Sequence, residues 1–282
     1  MLTWVRIVAL TLAIKRKIAG LLGISKNPYP TLPEGVYLSP SQRHIHEYIN
    51  HQPQYSWDVG HFSNAHEWQK IARQKLLDLT GYSEERPPSN RQYTYKTQLA
   101  NNITKLSTYL NTWPQNNIPV HLIFDSSKAG PRPVMICLQG TNSGIHLSWG
   151  EVRMPADPER IASGAANALQ AANRGYVAVA IEQSCFGERR EQHVGNNKTD
   201  PCITAANHAL LMGKTLLGER MSDVSTVIDW LEKQDHGLEL DLECLHIMGT
   251  SSGGTTGFFT MAADTRISAG LIGGCIGYYR NQ

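Results

Sequence analysis

Four short apolar runs set the pattern of the C-terminal half: Val134–Leu138, Tyr176–Ile181, Cys244–Met248 and Ser268–Ile276. Each is strand-length and bounded by glycine or polar residues, as strands buried on both faces are. Helical stretches separate them. Residues 158–173 are rich in alanine and closed by Gly175. Residues 217–233 put Met221, Val224, Ile228 and Leu231 on one stripe, and residues 252–263 follow a glycine-rich turn. Strand alternating with helix predicts a mostly parallel sheet in a three-layer α/β/α sandwich, the α/β class.

Upstream the pattern differs. From Asn64, the residues Trp68, Ile71, Ala72, Leu76 and Leu79 keep the 3–4 spacing of a helix, and Gly81 supplies its stop. Strand-like segments follow at 93–99, 103–110 and 118–124, divided by Asn101-Asn102 and by Pro114-Gln115-Asn116-Asn117. Residues 26–62 show little periodicity and read as an irregular surface arm. Pro87-Pro88 breaks the chain, so residues 1–90 read as N-terminal helices and arm and residues 91–282 as the core. The apolar run Ile7–Ile14 falls short of the roughly 20 residues that span a bilayer. Most of its flanking basic residues come after it, unlike a signal peptide. It predicts an amphipathic helix packed on the body, a cytoplasmic protein and no membrane contact.

Composition narrows the function classes. Hydrophobic residues make up 41% and charged residues 18%, which are globular values. Lys and Arg number 26 against 24 Asp and Glu, a net charge of +2, too balanced to grip a nucleic-acid backbone. The cysteines, five in all, contain no C-x-x-C pair and read as thiols of a reducing compartment, not a disulfide scaffold. Five histidines lie between His44 and His66, but no cysteine or carboxylate set with ligand spacing joins them, so no metal is expected. Gly213-Lys214-Thr215 ends like a phosphate-binding loop, yet His208 stands where that loop needs glycine. No cofactor is expected either.

The candidate chemistry sits at Gly249-Thr250-Ser251-Ser252-Gly253, between an apolar strand and a helix. This is G-x-S-x-G in the context that gives it meaning: glycines allow a sharp turn that lifts a serine hydroxyl out of the sheet. Ser251 is centred between them and is the candidate nucleophile; Ser252 is the alternative. The following helix aims its first N–H groups at the same point. Gln139-Gly140-Thr141, at the end of an earlier strand, offers a second donor through the Thr141 N–H.

With these blocks in view the chain resembles the α/β-hydrolases, specifically the bacterial dienelactone hydrolase and acetyl xylan esterase-like branch. The resemblance rests on Cys137–Asn142, Gly175–Ile181 with Phe186–Arg189, and Met248–Gly254, and runs from about residue 60 onward. It implies Ser251 as nucleophile, with the Thr141 and Ser252 N–H groups as the oxyanion hole. The substrate it implies is a small-molecule carboxylic ester, of acetyl or dienelactone type, cleaved through an acyl-enzyme. Where many relatives have His-Gly, this chain has Gln139-Gly140.

In that fold an acid and then a histidine follow the serine. After Ser251 the sequence holds one acidic residue, Asp264, and no histidine. The sequence ends after what resembles the sixth strand of eight, so the expected fold is C-terminally incomplete. His146 is the candidate surrogate base; His246 reads as a core residue, and Glu182 and Glu188 are alternatives for an acid. The competing reading is a catalytically inactive α/β-hydrolase-fold protein or a gene fragment. The apolar run 269–276, left as an edge, predicts self-association.

Overall fold

The computed structural model describes residues 33–36, 38–57, 62–86, 90–113, 116–191, 202–233 and 236–275. The apolar run Ile7–Ile14 and the Pro87-Pro88 break lie outside them. Two compact units divide between Gln52 and Pro53. In the first, helix α1 (Pro40–Asn50) occupies part of the stretch read as an irregular arm. None of its residues is buried, although Ile45, Tyr48 and Ile49 keep the 3–4 spacing of a short apolar stripe.

The second unit holds one seven-stranded sheet. Its strands are β1 (Asn90–Ala100), β2 (Ile103–Trp113), β3 (Asn116–Asp125), β4 (Arg132–Leu138), β5 (Val177–Ile181), β6 (Leu240–Thr250) and β7 (Ala269–Gly273). They lie in the order β1-β2-β3-β5-β4-β6-β7. From β5 across to β7 all pairings are parallel, as the strand–helix alternation predicts. β1, β2 and β3 form an antiparallel meander joined antiparallel to β5, so the sheet is mixed.

The helices of this unit are α2 (Ala65–Thr80), α3 (Asp157–Arg160), α4 (Asn167–Asn173), α5 (Ile203–Leu211), α6 (Leu216–Glu232) and α7 (Ser252–Ala263). β5 shows how they cover the sheet. Val177, Val179 and Ile181 point to one face, where Val224, Val227, Ile228 and Leu231 of α6 meet them. Ala178 and Ala180 point to the other, beside Ala168, Ala171 and Ala172 of α4. Bulky residues fill the gap to α6, and small ones let α4 lie close.

Local chemistry sets the helix ends. The Asn64 side chain accepts from the Glu67 N–H (3.0 Å), and the Glu67 carboxylate accepts from the Ser63 N–H (2.8 Å), a reciprocal cap. The α2 stripe is rotated from the one the spacing predicts: Leu77 and Thr80 are buried, while Leu79 is 65% exposed. The cause is docking, since Leu77 packs with Met221 of α6 and Ala263 of α7. Gly213-Lys214-Thr215 leads into α6, whose N-terminus Thr215 caps by accepting from the Gly218 N–H (2.9 Å).

The helix expected over 158–173 is broken. α3 runs into a wide turn (Ile161–Ala165), and α4 starts afresh at Asn167. Gly164 takes φ 97, a conformation that leaves the helix and that glycine alone adopts cheaply. Among the described residues, no helix is long and apolar enough to cross a membrane.

Candidate active site

β6 ends at Thr250, α7 begins at Ser252, and Ser251 makes the whole turn between them with φ 53 and ψ −122. A non-glycine residue held there costs on the order of 1–3 kcal/mol, which the surroundings must supply. Part of that restraint is the Ser251 N–H, which donates to the Gly273 carbonyl on β7 (2.8 Å). The side chain is exposed. Its hydroxyl makes no hydrogen bond among the described residues.

Both flanking glycines are required by packing. A Cβ on Gly249 would run into the Gly253 carbonyl and lie 2.8 Å from the Gly254 nitrogen. One on Gly253 would strike the carbonyl oxygens of Leu138 and Gln139. Helix α7 therefore sits directly against the end of β4, where Leu138 pairs with Gly249. Gly140 follows within reach of the serine: a Cβ there would lie 3.0 Å from the Thr250 oxygen and 3.4 Å from Ser251 Cβ. Thr141, next in the chain, is exposed. Neither its N–H nor that of Ser252, the first residue of α7, is hydrogen-bonded among the described residues.

The loop after β4 is tied from beneath by contacts that spacing did not reveal. The Gln139 side-chain amide donates to Glu182 at the end of β5, and the Ile145 N–H donates to the same carboxylate (3.1 Å). Gln183 donates to the Gln139 carbonyl (2.6 Å) and accepts from Thr256 of α7 (2.7 Å). Glu182 is 1% exposed. Burial pushes its carboxyl up to about 7, outweighing the N–H groups of Ile145 and Glu188, which favour the charged form. Arg220 of α6, also unforeseen, donates from Nη1 to the Ser252 hydroxyl (3.1 Å).

His146 is 2% exposed in a short turn, Ile145–Trp149. Its Nε2 is 2.9 Å from Asp157 Oδ2, and a Cβ on Gly144 would stand 2.9 Å from its Nδ1. Both ring nitrogens are thus enclosed, one by a carboxylate and one by backbone. Burial opposes charge on Asp157, but hydrogen bonds from Ser143, His146 and the N–H groups of Arg153 and Met154 outweigh it and hold the carboxyl well below the usual range. The remaining candidates are engaged elsewhere. Glu188 accepts from Tyr109 (2.6 Å) and Arg153 (3.4 Å), and Asp264 accepts from Arg266 (2.6 Å). His246 is half-buried against the Tyr176 ring. Among the described residues, no histidine or carboxylate hydrogen-bonds Ser251.

Beside Gly140 and Thr250 opens a cavity of about 600 Å³. Its wall mixes polar side chains, among them Asn142, Ser148, Glu159 and Arg160, with the apolar Leu138, Leu147 and Met248.

The model of the Abhydrolase family matches residues 38–255. A structure assigned as an acetyl xylan esterase, from Bacteroides fragilis NCTC 9343, superposes with a TM-score of 0.69 at 18% identity, covering 86% of this chain and 62% of its own. A glucuronoyl esterase from Solibacter usitatus matches at 20% identity and a TM-score of 0.48, covering 86% of this chain and 63% of its own. A protein assigned as a dienelactone hydrolase, from Klebsiella pneumoniae subsp. pneumoniae MGH 78578, matches at 18% identity and a TM-score of 0.43, covering 63% of this chain and 62% of its own. The chain thus spans less than two thirds of the length of each. No curated protein matches it in sequence.

Proposed function

Because this chain belongs to the Abhydrolase family, we propose that it serves a serine ester hydrolase in which Ser251 is the nucleophile. The observation that carries the reading is the conformation of Ser251, an exposed residue held at φ 53 where strand meets helix. Strain of that kind persists only where the surroundings impose it, and here it presents a hydroxyl beside N–H donors that are unengaged among the described residues. In this reading the Ser251 oxygen attacks an ester carbonyl, and the negative charge that develops is met by the N–H groups of Thr141 and Ser252. Collapse of the tetrahedral species expels the alcohol and leaves an acyl group on Ser251, which water then removes. The neighbouring cavity offers Asn142, Ser148, Glu159 and Arg160 to the hydroxyl groups of an alcohol, and Leu138, Leu147 and Met248 to its carbon skeleton. That mixture suits a small acyl group on a hydroxylated alcohol. The acetyl xylan esterase and glucuronoyl esterase among the structural neighbours fit that choice.

A second reading, a catalytically silent member of the same family, draws on the lack of any histidine or carboxylate hydrogen-bonded to Ser251 among the described residues. A fluorophosphonate probe separates the two. Labelling of the folded protein at Ser251, lost in Ser251→Ala, is the expected result. An unlabelled Ser251 in a folded sample would favour the silent reading.

A further inference from the structure

Across Arg220 from Ser252, two thiols meet. Cys185 follows β5, is 2% exposed, and holds φ 73, a left-handed conformation that a cysteine adopts at a cost. Its thiol hydrogen-bonds Cys202, the residue before α5; that bond, with burial, pushes the Cys185 thiol upward. No cysteine of the chain is in a disulfide.

The third member is Arg220, 8% exposed. Its Nη2 donates to Cys202 Sγ (3.2 Å) and to the Ser184 carbonyl (2.7 Å), while Nη1 reaches Ser252. The Phe186 ring lies 4.9 Å from the guanidinium carbon. Among the described residues, no carboxylate pairs with this buried cation. A guanidinium so placed stabilises the charge that develops on a sulfur losing its proton.

We propose that Cys185 and Cys202 form a redox-active dithiol, with Cys202 as the attacking sulfur and Cys185 as the resolving one. The oxidant is a hydroperoxide. The Cys202 thiolate attacks the terminal peroxide oxygen; the O–O bond breaks, the sulfur becomes a sulfenic acid, and the remaining oxygen leaves as water or an alcohol after taking a proton. The Cys185 sulfur then displaces the hydroxyl from Cys202, and its own proton leaves with that hydroxyl as water. Two thiols are oxidised to one disulfide and one peroxide is reduced. Cys185 is the enclosed partner and Cys202 the half-buried one, so the oxidant meets Cys202 first. The new disulfide takes a thiolate acceptor away from Arg220, whose other hand holds Ser252.

The test uses the whole chain, reduced, treated with hydrogen peroxide while folded, then quenched with iodoacetamide in denaturant and mapped by peptide mass spectrometry. A Cys185–Cys202 linked peptide that dithiothreitol reverses is expected, with Cys137 and Cys244 still alkylated. In Cys185→Ser, Cys202 should pass on to the sulfinic acid; in Cys202→Ser, Cys185 should stay reduced. Arg220→Gln should slow formation of the linked peptide about tenfold. The proposal is overturned if all five cysteines of the wild type remain alkylatable, if the link joins another pair, or if Cys185 is oxidised at the wild-type rate in Cys202→Ser.

Discussion

Glu182 is a carboxyl whose burial the fold should register as a pH-dependent loss of stability. In the unfolded chain it ionises near the ordinary 4.5, whereas in the fold it keeps its proton to about 7. Below about pH 4 it is protonated in both states and contributes no difference. Between those two values the unfolded chain has released the proton and the fold still holds it, so raising the pH favours unfolding. Above pH 8 both states are ionised and the deficit is constant, at roughly 3 kcal/mol.

Glu182→Gln removes the ionisation and keeps the shape. The glutamine oxygen still accepts from the Ile145 N–H. Its NH2 group finds Gln139 Oε1, which has no partner among the described residues as that side chain stands, once the Gln139 amide turns over. The variant should therefore match the wild type near pH 4.5 and gain on it as the pH rises, by roughly 3 kcal/mol at pH 8. Urea unfolding followed by tryptophan fluorescence, repeated from pH 4.5 to 8 on both proteins, measures the gap. Parallel profiles across that range would refute the reasoning, because they would mean that Glu182 ionises as easily inside the fold as outside it.

Three further outcomes are expected. Gly253→Ala drives a Cβ into the carbonyls of Leu138 and Gln139, and should cost at least about 2 kcal/mol, read as a fall in melting temperature. Asp157→Asn strips a buried charge from His146 and from two N–H groups. It should cost about 3 kcal/mol in urea unfolding at pH 7, with the difference shrinking as the pH falls and the wild-type carboxylate takes up its proton. Ile247→Ala, at a fully buried position on β6, should cost about 2–5 kcal/mol in the same assay; a cost under 1 would mean that the site is not packed as described.

How much could be read beforehand depended on how local the physics is. The sharp turn at Ser251 was legible because both its flanking glycines answer to contacts at the strand end and within the turn itself. β5 and the α6 stripe were legible because burial on two faces, or on one, leaves its period in the sequence. α1 left only a short mark, Ile45, Tyr48 and Ile49, set among polar residues and prolines that read as irregular. The break at Gly164 was hidden by the alanines around it, which favour helix on either side. The antiparallel joining of β3 to β5 and the ties Gln139–Glu182, His146–Asp157 and Arg220–Ser252 link separate elements, and spacing along a chain carries no record of them. Asp157 and Arg220 were accordingly not foreseen.

The mixed sheet also has a history in time. In the meander, Tyr95 pairs with Ser107 a dozen residues on, so its hairpins close short loops. The centre of the sheet is different: Val134 of β4 pairs with Leu245 of β6, more than a hundred residues later. Closing the longer loop costs about 2 kcal/mol more in chain entropy, some three doublings of length. Contacts of long range form slowly, and they form after the local ones have shortened the search. The turn at Ser251 depends on that late register, because the Gly253 backbone rests on the end of β4. A nascent chain should thus acquire its meander early and its exposed serine last, so the hydroxyl stays out of its strained posture until the centre of the sheet has zipped.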